Sequence, residues 1–320
     1  MKPHAVFLDA ATIGDDIPLD TLSTHSRMTV FPTTSDEQVE ERCQGSAVVV
    51  TNKAVFQHDR LQRLSSHLKL ICLTATGYDN IDTKAAAELG ITVCNVRDYS
   101  TDSVAQHTLT MTLSLLQQIE YYHHFVSDGH YTHSPVFTHF GRPWYELAGK
   151  TWGIIGLGSI GRRTAEIVET IGCKVVYYSS SNKDRDPARQ RLSLDELLRV
   201  SDVVSIHAPL NTHTKGLIGS AELEQMQSHS IIVNVGRGGI IQEEALADIL
   251  QQNRIRGAAI DVFVDEPIQQ DSPLLAVDSE RLLLTPHIAW GSTEARKRVI
   301  QGVADNIGSF FAGTPQNVVS

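Results

Sequence analysis

Arg237, Glu266 and His287 are the residues of this sequence whose types most readily do chemistry together. A guanidinium binds a carboxylate through two parallel hydrogen bonds and polarises a carbonyl beside it. An imidazole gives or takes a proton near neutral pH. A carboxylate next to that imidazole orients the ring and favours its protonated form. Such a trio could hold a 2-oxo acid, polarise its carbonyl and protonate the oxygen as it becomes an alkoxide, or run the same steps backwards.

These residues stand 29 and 21 positions apart, so only the fold can bring them together. Each follows a short apolar run that reads as a strand: Ile231–Val235 before Arg237, Ala258–Val262 before Glu266, Leu282–Leu284 before His287. Three more such runs, Trp152–Ile155, Val175–Tyr178 and Val203–Ile206, precede them, and helical stretches separate most of the six. That count matches a doubly wound parallel sheet, in which the carboxyl ends of the strands face the ligand crevice.

The first of these strands runs into Gly156-Leu157-Gly158-Ser159-Ile160-Gly161, a GxGxxG pattern opening a helix over Ile160–Ile171. In that context Gly156 permits a tight turn, Gly158 lets backbone approach a pyrophosphate, and Gly161 lets helix and strand pack closely. The helix start favours the phosphate charge. The expected acid at the end of the second strand is absent: Ser179 stands there, followed by Ser180-Ser181-Asn182-Lys183. Without that carboxylate a 2′-phosphate is not repelled, and Lys183 or Arg185 could meet one, although Asp184 and Asp186 are interleaved. The coenzyme is therefore read as NAD(H) or NADP(H).

The first hundred residues alternate strand-like runs (Ala5–Asp9, Thr29–Phe31, Ala47–Val50, Leu68–Leu73, Thr92–Asn95) with helices at Asp36–Cys43, Lys53–Leu64 and Thr83–Leu89. This predicts a small parallel α/β unit. A long helix is expected over about Thr101 to His124, with Leu109, Leu113 and Leu116 at helical spacing. A last helix, Thr293 to Phe311, places Val299, Val303, Ile307 and Phe310 on one face and is long enough to return to the first unit. The expected organisation is a substrate domain over 1–100 completed by 288–320, and a dinucleotide-binding domain over 101–287.

The formal charge of -10 argues against nucleic acid or an anionic membrane as partner. No apolar run approaches the roughly 20 residues of a membrane span. The N-terminus shows no signal peptide, and Cys43, Cys72, Cys94 and Cys173 form no CxxC pair, which suits reduced thiols in the cytoplasm. His123, His124, His130, His133 and His139 crowd one region, but no ligand motif accompanies them, so no metal site is expected.

Taken with Thr74-Ala75-Thr76-Gly77-Tyr78-Asp79-Asn80-Ile81-Asp82, Glu146–Thr151, His207-Ala208-Pro209-Leu210, Asn234–Gly239, Asp261–Pro267 and Pro286-His287, these motifs make the chain resemble the D-isomer-specific 2-hydroxyacid dehydrogenases along nearly its whole length. The resemblance implies a Rossmann dinucleotide-binding domain beside a discontinuous flavodoxin-like substrate domain, both doubly wound parallel sheets. It implies that Arg237 binds substrate, that Glu266 assists His287, and that His287 is the acid/base. Ala75, Thr76 and Gly77 would offer the substrate carboxylate their backbone N–H groups. Ser159, Ile160 and Ser179 would line the dinucleotide, Asp261 and Thr76 would lie near the nicotinamide, and His207, Pro209, Val235 and Gly236 would complete that side. It also implies a homodimer paired through the region from Thr101 to Trp144.

Within the family the chain looks most like members acting on hydroxypyruvate and D-glycerate, with glyoxylate as a further substrate. Pyruvate and bulkier 2-oxo acids stay open, as does a dinucleotide-sensing corepressor-like protein without turnover. The small-molecule acid would be the partner, with no nucleic acid and no membrane.

Overall fold

The computed structural model describes residues 2–181, 186–278 and 280–319. The chain divides into two compact units, Met1–Ser100 with Gly291–Ser320, and Thr101–Trp290.

In the first unit β1 (His4–Phe7), β2 (Arg27–Val30), β3 (Val48–Thr51), β4 (Leu70–Leu73) and β5 (Thr92–Cys94) form a parallel sheet of order β2-β1-β3-β4-β5. This is the flavodoxin-like order. All residues of β3 and β4 are buried, which is why these strands read as unbroken apolar runs. The helix Thr293–Phe311 belongs to this unit and buries Val299, Val303 and Ile307. The expected helix at Lys53–Leu64 begins only at His58. Its first residues are instead a loop, because the half-turn after β3 delivers the N–H groups of Asn52 and Lys53 to the Asp9 carboxylate, at 2.7 Å for Lys53.

The second unit contains β6 (Thr151–Ile155), β7 (Lys174–Tyr178), β8 (Gln190–Arg191), β9 (Val203–Ile206), β10 (Ile231–Asn234), β11 (Gly257–Ile260) and β12 (Leu282–Leu284). They form one parallel sheet of order β12-β11-β10-β9-β6-β7-β8. The chain reverses direction across the sheet between β6 and β9, as in the dinucleotide-binding fold. Six strands were expected; the extra one, β8, is two exposed residues long and carries no apolar pattern.

The expected long helix from Thr101 stops at Gln117 and resumes as Ile119–Ser127. Between them Gln118 takes a left-handed backbone, φ 52°, and its side-chain amide donates to Leu115 O at 2.9 Å. The buried stripe of the first helix runs through Val104, Thr108, Met111 and Leu115 rather than through Leu109 and Leu113. Thr108 and Thr112 can be buried because each hydroxyl bonds the carbonyl four residues back, at 2.7 and 2.8 Å. Among the described residues no helix is long and apolar enough to cross a membrane.

Candidate active site

The carboxyl ends of β10, β11 and β12 lie side by side, and the loops that leave them carry Arg237, Glu266 and His287. His287 Nδ1 lies 2.8 Å from Glu266 Oε2, and the two side chains are 30% and 22% exposed. A carboxylate can only accept, so Nδ1 donates and Nε2 is left as the atom for proton exchange. Glu266 is held in turn by Phe263 N–H, which donates to Oε1 at 3.2 Å.

His287 adopts φ 53°, a left-handed backbone that few non-glycine residues take. The surrounding bonds impose it. Its N–H donates to Asp261 O at 2.8 Å and to Thr285 O at 3.0 Å. The fully buried Asp261 carboxylate accepts from Thr285 Oγ1 (2.6 Å), Ile288 N (2.8 Å) and Ala289 N (2.9 Å). Asp261 therefore anchors the loop on both sides of His287, a task that the sequence reading, which gave it only a place near the nicotinamide, did not include. Because Thr285 Oγ1 spends its proton on Asp261, it accepts from His107 Nε2 at 3.2 Å. Burial lowers the His107 imidazole from its ordinary range while the Asp261 charge pulls the other way.

Arg237 stands on a turn that Asn234 braces. The Asn234 amide donates to Arg237 O at 2.9 Å and accepts from Gly236 N–H at 3.1 Å. Arg237 Nη1 donates to Gly236 O at 2.9 Å. At Gly238 a Cβ would fall 1.8 Å from Phe263 O, so only glycine lets this turn pack against the loop that carries Glu266. Asn234 was not foreseen; an amide closing a strand immediately before a Gly-Arg-Gly turn is the signal that could have found it.

The glycine loop has the shape a dinucleotide requires. Gly156 has φ 96°, and a Cβ there would meet Ala208 N at 2.7 Å. A Cβ at Gly161 would strike Gly156 O at 2.3 Å, whereas the space beside Gly158 is open. Gly158 caps the helix Ser159–Thr170, whose first turn holds an exposed Ser159 and a half-buried Ile160. Ser179 lies directly after β7, and its hydroxyl is 3.1 Å from that of Ser181. Lys183, Asp184 and Arg185, considered above for a 2′-phosphate, lie outside the described residues. Asp186 is engaged by Arg189.

His207 follows β9, and its backbone touches the Gly156 turn. Its Nε2 lies 3.0 Å from Ser205 Oγ, which also accepts from Trp152 Nε1 at 2.8 Å. Burial pushes the imidazole down to about 3, and the shielded Nδ1 has no hydrogen-bond partner among the described residues. A polar atom left in that state beside a phosphate-type loop fits a site made for a ligand. Pro209 is exposed just beyond it, and Val235 and Gly236 follow β10.

In the other unit the loop Ala75–Tyr78 leaves β4 and is tied to Asn95 and Val96. His139, in the histidine-rich stretch, stacks on Phe125 with ring centroids 3.6 Å apart and bonds Tyr121 at 2.7 Å. Among the described residues no three His, Cys, Asp or Glu side chains are placed to hold a metal.

The family model "D-isomer specific 2-hydroxyacid dehydrogenase, NAD binding domain" matches residues 109–289. The glycerate dehydrogenase of Methylorubrum extorquens is 36% identical over 319 residues, covering 100% of this chain and 99% of that one. The hydroxypyruvate reductase of Blautia hydrogenotrophica is 34% identical over 90% of this chain and 89% of its own. Among solved structures, an acyclic imino acid reductase (Bsp5) in complex with NADPH and D-Arg superposes with a TM-score of 0.88 at 27% identity, covering 100% of both chains. The chain belongs to the D-isomer specific 2-hydroxyacid dehydrogenases, nicotinamide-dependent oxidoreductases.

Proposed function

We propose that this enzyme interconverts hydroxypyruvate and D-glycerate and takes glyoxylate as a second substrate. The observation that carries the reading is the His287–Glu266 pair, 2.8 Å apart, on a loop whose strained backbone is fixed from both sides. The names of the two curated relatives, aligned over most of this chain, support the choice of acid.

A reduced nicotinamide, when bound, supplies the hydride that the carbonyl carbon receives. Arg237 binds the acid and polarises its carbonyl. His287 Nε2 delivers the proton to the oxygen as negative charge develops there, and Glu266 stabilises the charged ring. Ala75, Thr76 and Gly77 hold the carboxylate through backbone N–H groups. Gly156, Gly158, Ser159, Ile160 and Gly161 cradle the pyrophosphate, and Ser179 meets the adenosine ribose. Thr76, His207, Pro209, Val235, Gly236 and Asp261 serve the nicotinamide side, with His207 Nδ1 supplying an unspent polar atom there.

With Ser179 in place of an acid, the coenzyme is NADH or NADPH. The partner is a second copy of the chain, joined through the region from Thr101 to Trp144, where Phe137 and Phe140 are 87% and 82% exposed. A reducing cytoplasm suits the four buried, free cysteines.

Steady-state kinetics with NADH and NADPH against hydroxypyruvate, glyoxylate, pyruvate and bulkier 2-oxo acids test the reading. Hydroxypyruvate should give the highest kcat/KM. A bulky acid in first place would overturn the substrate, and absence of turnover with all of them would overturn the enzyme reading.

A further inference from the structure

We infer that Asn95 is a positioning residue for the acid's carboxylate: with Asn306 and Asn317 behind it, it turns the Thr76 and Gly77 N–H groups outward as an anion cradle. The inference rests on the functional reading above, in which that loop receives the carboxylate.

Ala75 O accepts from Val96 N at 3.0 Å, and Thr76 O accepts from the Asn95 side-chain amide at 2.7 Å. Thr76 Oγ1 adds a bond to Val96 O at 3.0 Å. In a trans peptide the C=O and N–H of one unit point in opposite directions, and neither peptide here is cis. Fixing the carbonyls of Ala75 and Thr76 toward residues 95–96 therefore sends the N–H groups of Thr76 and Gly77 the other way. No protein acceptor among the described residues takes either N–H. Thr76 is exposed and Gly77 half-buried. Two successive free N–H groups with one orientation attract an anion.

Asn95 is 3% exposed, and its main chain is already committed. Its N–H donates to Asn317 O at 3.2 Å, and its carbonyl accepts from the Asn306 amide at 2.8 Å. Asn306, fully buried on the last helix, accepts from the Asn317 amide at 2.9 Å. Each amide has a fixed orientation, because a carbonyl partner demands the NH2 end. The last residues complete the clamp: Val318 pairs antiparallel with Cys94, and Val319 N donates to Val93 O at 2.9 Å. The C-terminus is tied by the Asn95 main chain, by Asn306 and Asn317, and by the isolated bridge at Val318. The Asn95 side chain contributes nothing to that tie. Its amide reaches the other way, to the one carbonyl that orients Gly77 N–H.

The full-length protein is compared with Asn95→Ala and Asn317→Gly. The second is a milder change, since Asn317 has φ 55° and glycine adopts that backbone freely. The readouts are KM and kcat for hydroxypyruvate, the Kd for NADH, the Tm, and calorimetric binding of oxamate to the NADH-saturated protein. Asn95→Ala should raise KM and weaken oxamate tenfold or more, with kcat within threefold and NADH binding unchanged. Asn317→Gly should give a smaller shift of the same kind and decides the matter if Asn95→Ala does not fold. A loss spread equally over kcat, NADH binding and oxamate binding would reduce Asn95 to a packing residue and overturn the inference. So would unchanged oxamate binding in folded variants, or a wild-type protein that binds no oxamate. If the wild type binds oxamate, Asn95→Ala loses it, and no 2-oxo acid turns over, the functional reading fails while the positioning role stands.

Discussion

His287 Nδ1 and Glu266 Oε2 face each other at 2.8 Å across two loops whose strands are neighbours in one parallel sheet. The pairing leaves Nε2 as the ring's working atom. His287→Asn should therefore lower kcat by about 10²–10⁴, the range expected for loss of a positioned general acid. Glu266→Gln, which keeps a hydrogen-bond acceptor but removes the charge, should cost less. Both should bind NADH as the wild type does. Fluorescence titration with single-turnover rates measures this, and near-normal turnover in His287→Asn would remove the residue from the chemistry.

Asp261 gives a second prediction, because its buried carboxylate satisfies a hydroxyl and two N–H groups at 2.6–2.9 Å. Asp261→Asn turns an NH2 group toward donors and leaves at least one of them unpaired. Hydrogen bonds to a charged group contribute about 1.5–3 kcal/mol each. The variant should lose a few degrees of Tm and at least tenfold in kcat as the loop holding His287 relaxes. An intact melting temperature with wild-type kcat would show that the loop holds itself.

How much of this was readable in advance depended on the range of the bonds. The glycine loop and the Arg237, Glu266 and His287 ends could be read because each is a local pattern attached to a strand-like run. Asp261 as an anchor could not, since its partners Ile288 and Ala289 lie 27 and 28 residues away. The break at Gln118 was hidden for another reason: glutamine is a good helix former, and apolar spacing continues through it. The late helix start at His58 was hidden because Asp9, more than forty residues earlier, takes the N–H groups. Chain-distant hydrogen bonds leave no periodicity to read.

Ser179 gives a prediction about the coenzyme. It sits where a carboxylate would otherwise bind the ribose hydroxyls, directly after β7. Ser179→Asp places a negative charge there, which attracts the 2′-hydroxyl of NADH and repels the 2′-phosphate of NADPH. The ratio of kcat/KM for NADH over NADPH should rise at least tenfold, with the KM for the oxo acid unchanged. An unaltered ratio would place the adenosine ribose away from Ser179.

The exposed Phe137 and Phe140 bear on assembly. Aromatic side chains bury about 150–250 Å² each at an interface, so leaving two in water on one arm is unfavourable for a lone chain. Sedimentation of the wild type at micromolar concentration should show a dimer, and Phe137→Asp with Phe140→Asp should shift it toward monomer. A monomeric wild type would end the dimer proposal.

His207 makes stability depend on pH. Burial holds its imidazole down to about 3 in the fold, whereas the unfolded chain protonates it near the ordinary histidine value of about 6.5. Between those values the unfolded state binds the extra proton, so stability falls as pH is lowered from 6.5 toward 3 and is unaffected by this group above 6.5. The slope is about 1.4 kcal/mol per pH unit for one proton. His207→Asn removes that proton while leaving a polar group near Ser205. The Tm of the variant should therefore decline less steeply than the wild type's between pH 6.5 and 4, and the two curves should run parallel above pH 7. Curves that stay parallel below 6.5 would mean that the folded imidazole accepts a proton as easily as the unfolded one. That outcome would also weaken the case for Nδ1 as a neutral, shielded contact for the cofactor.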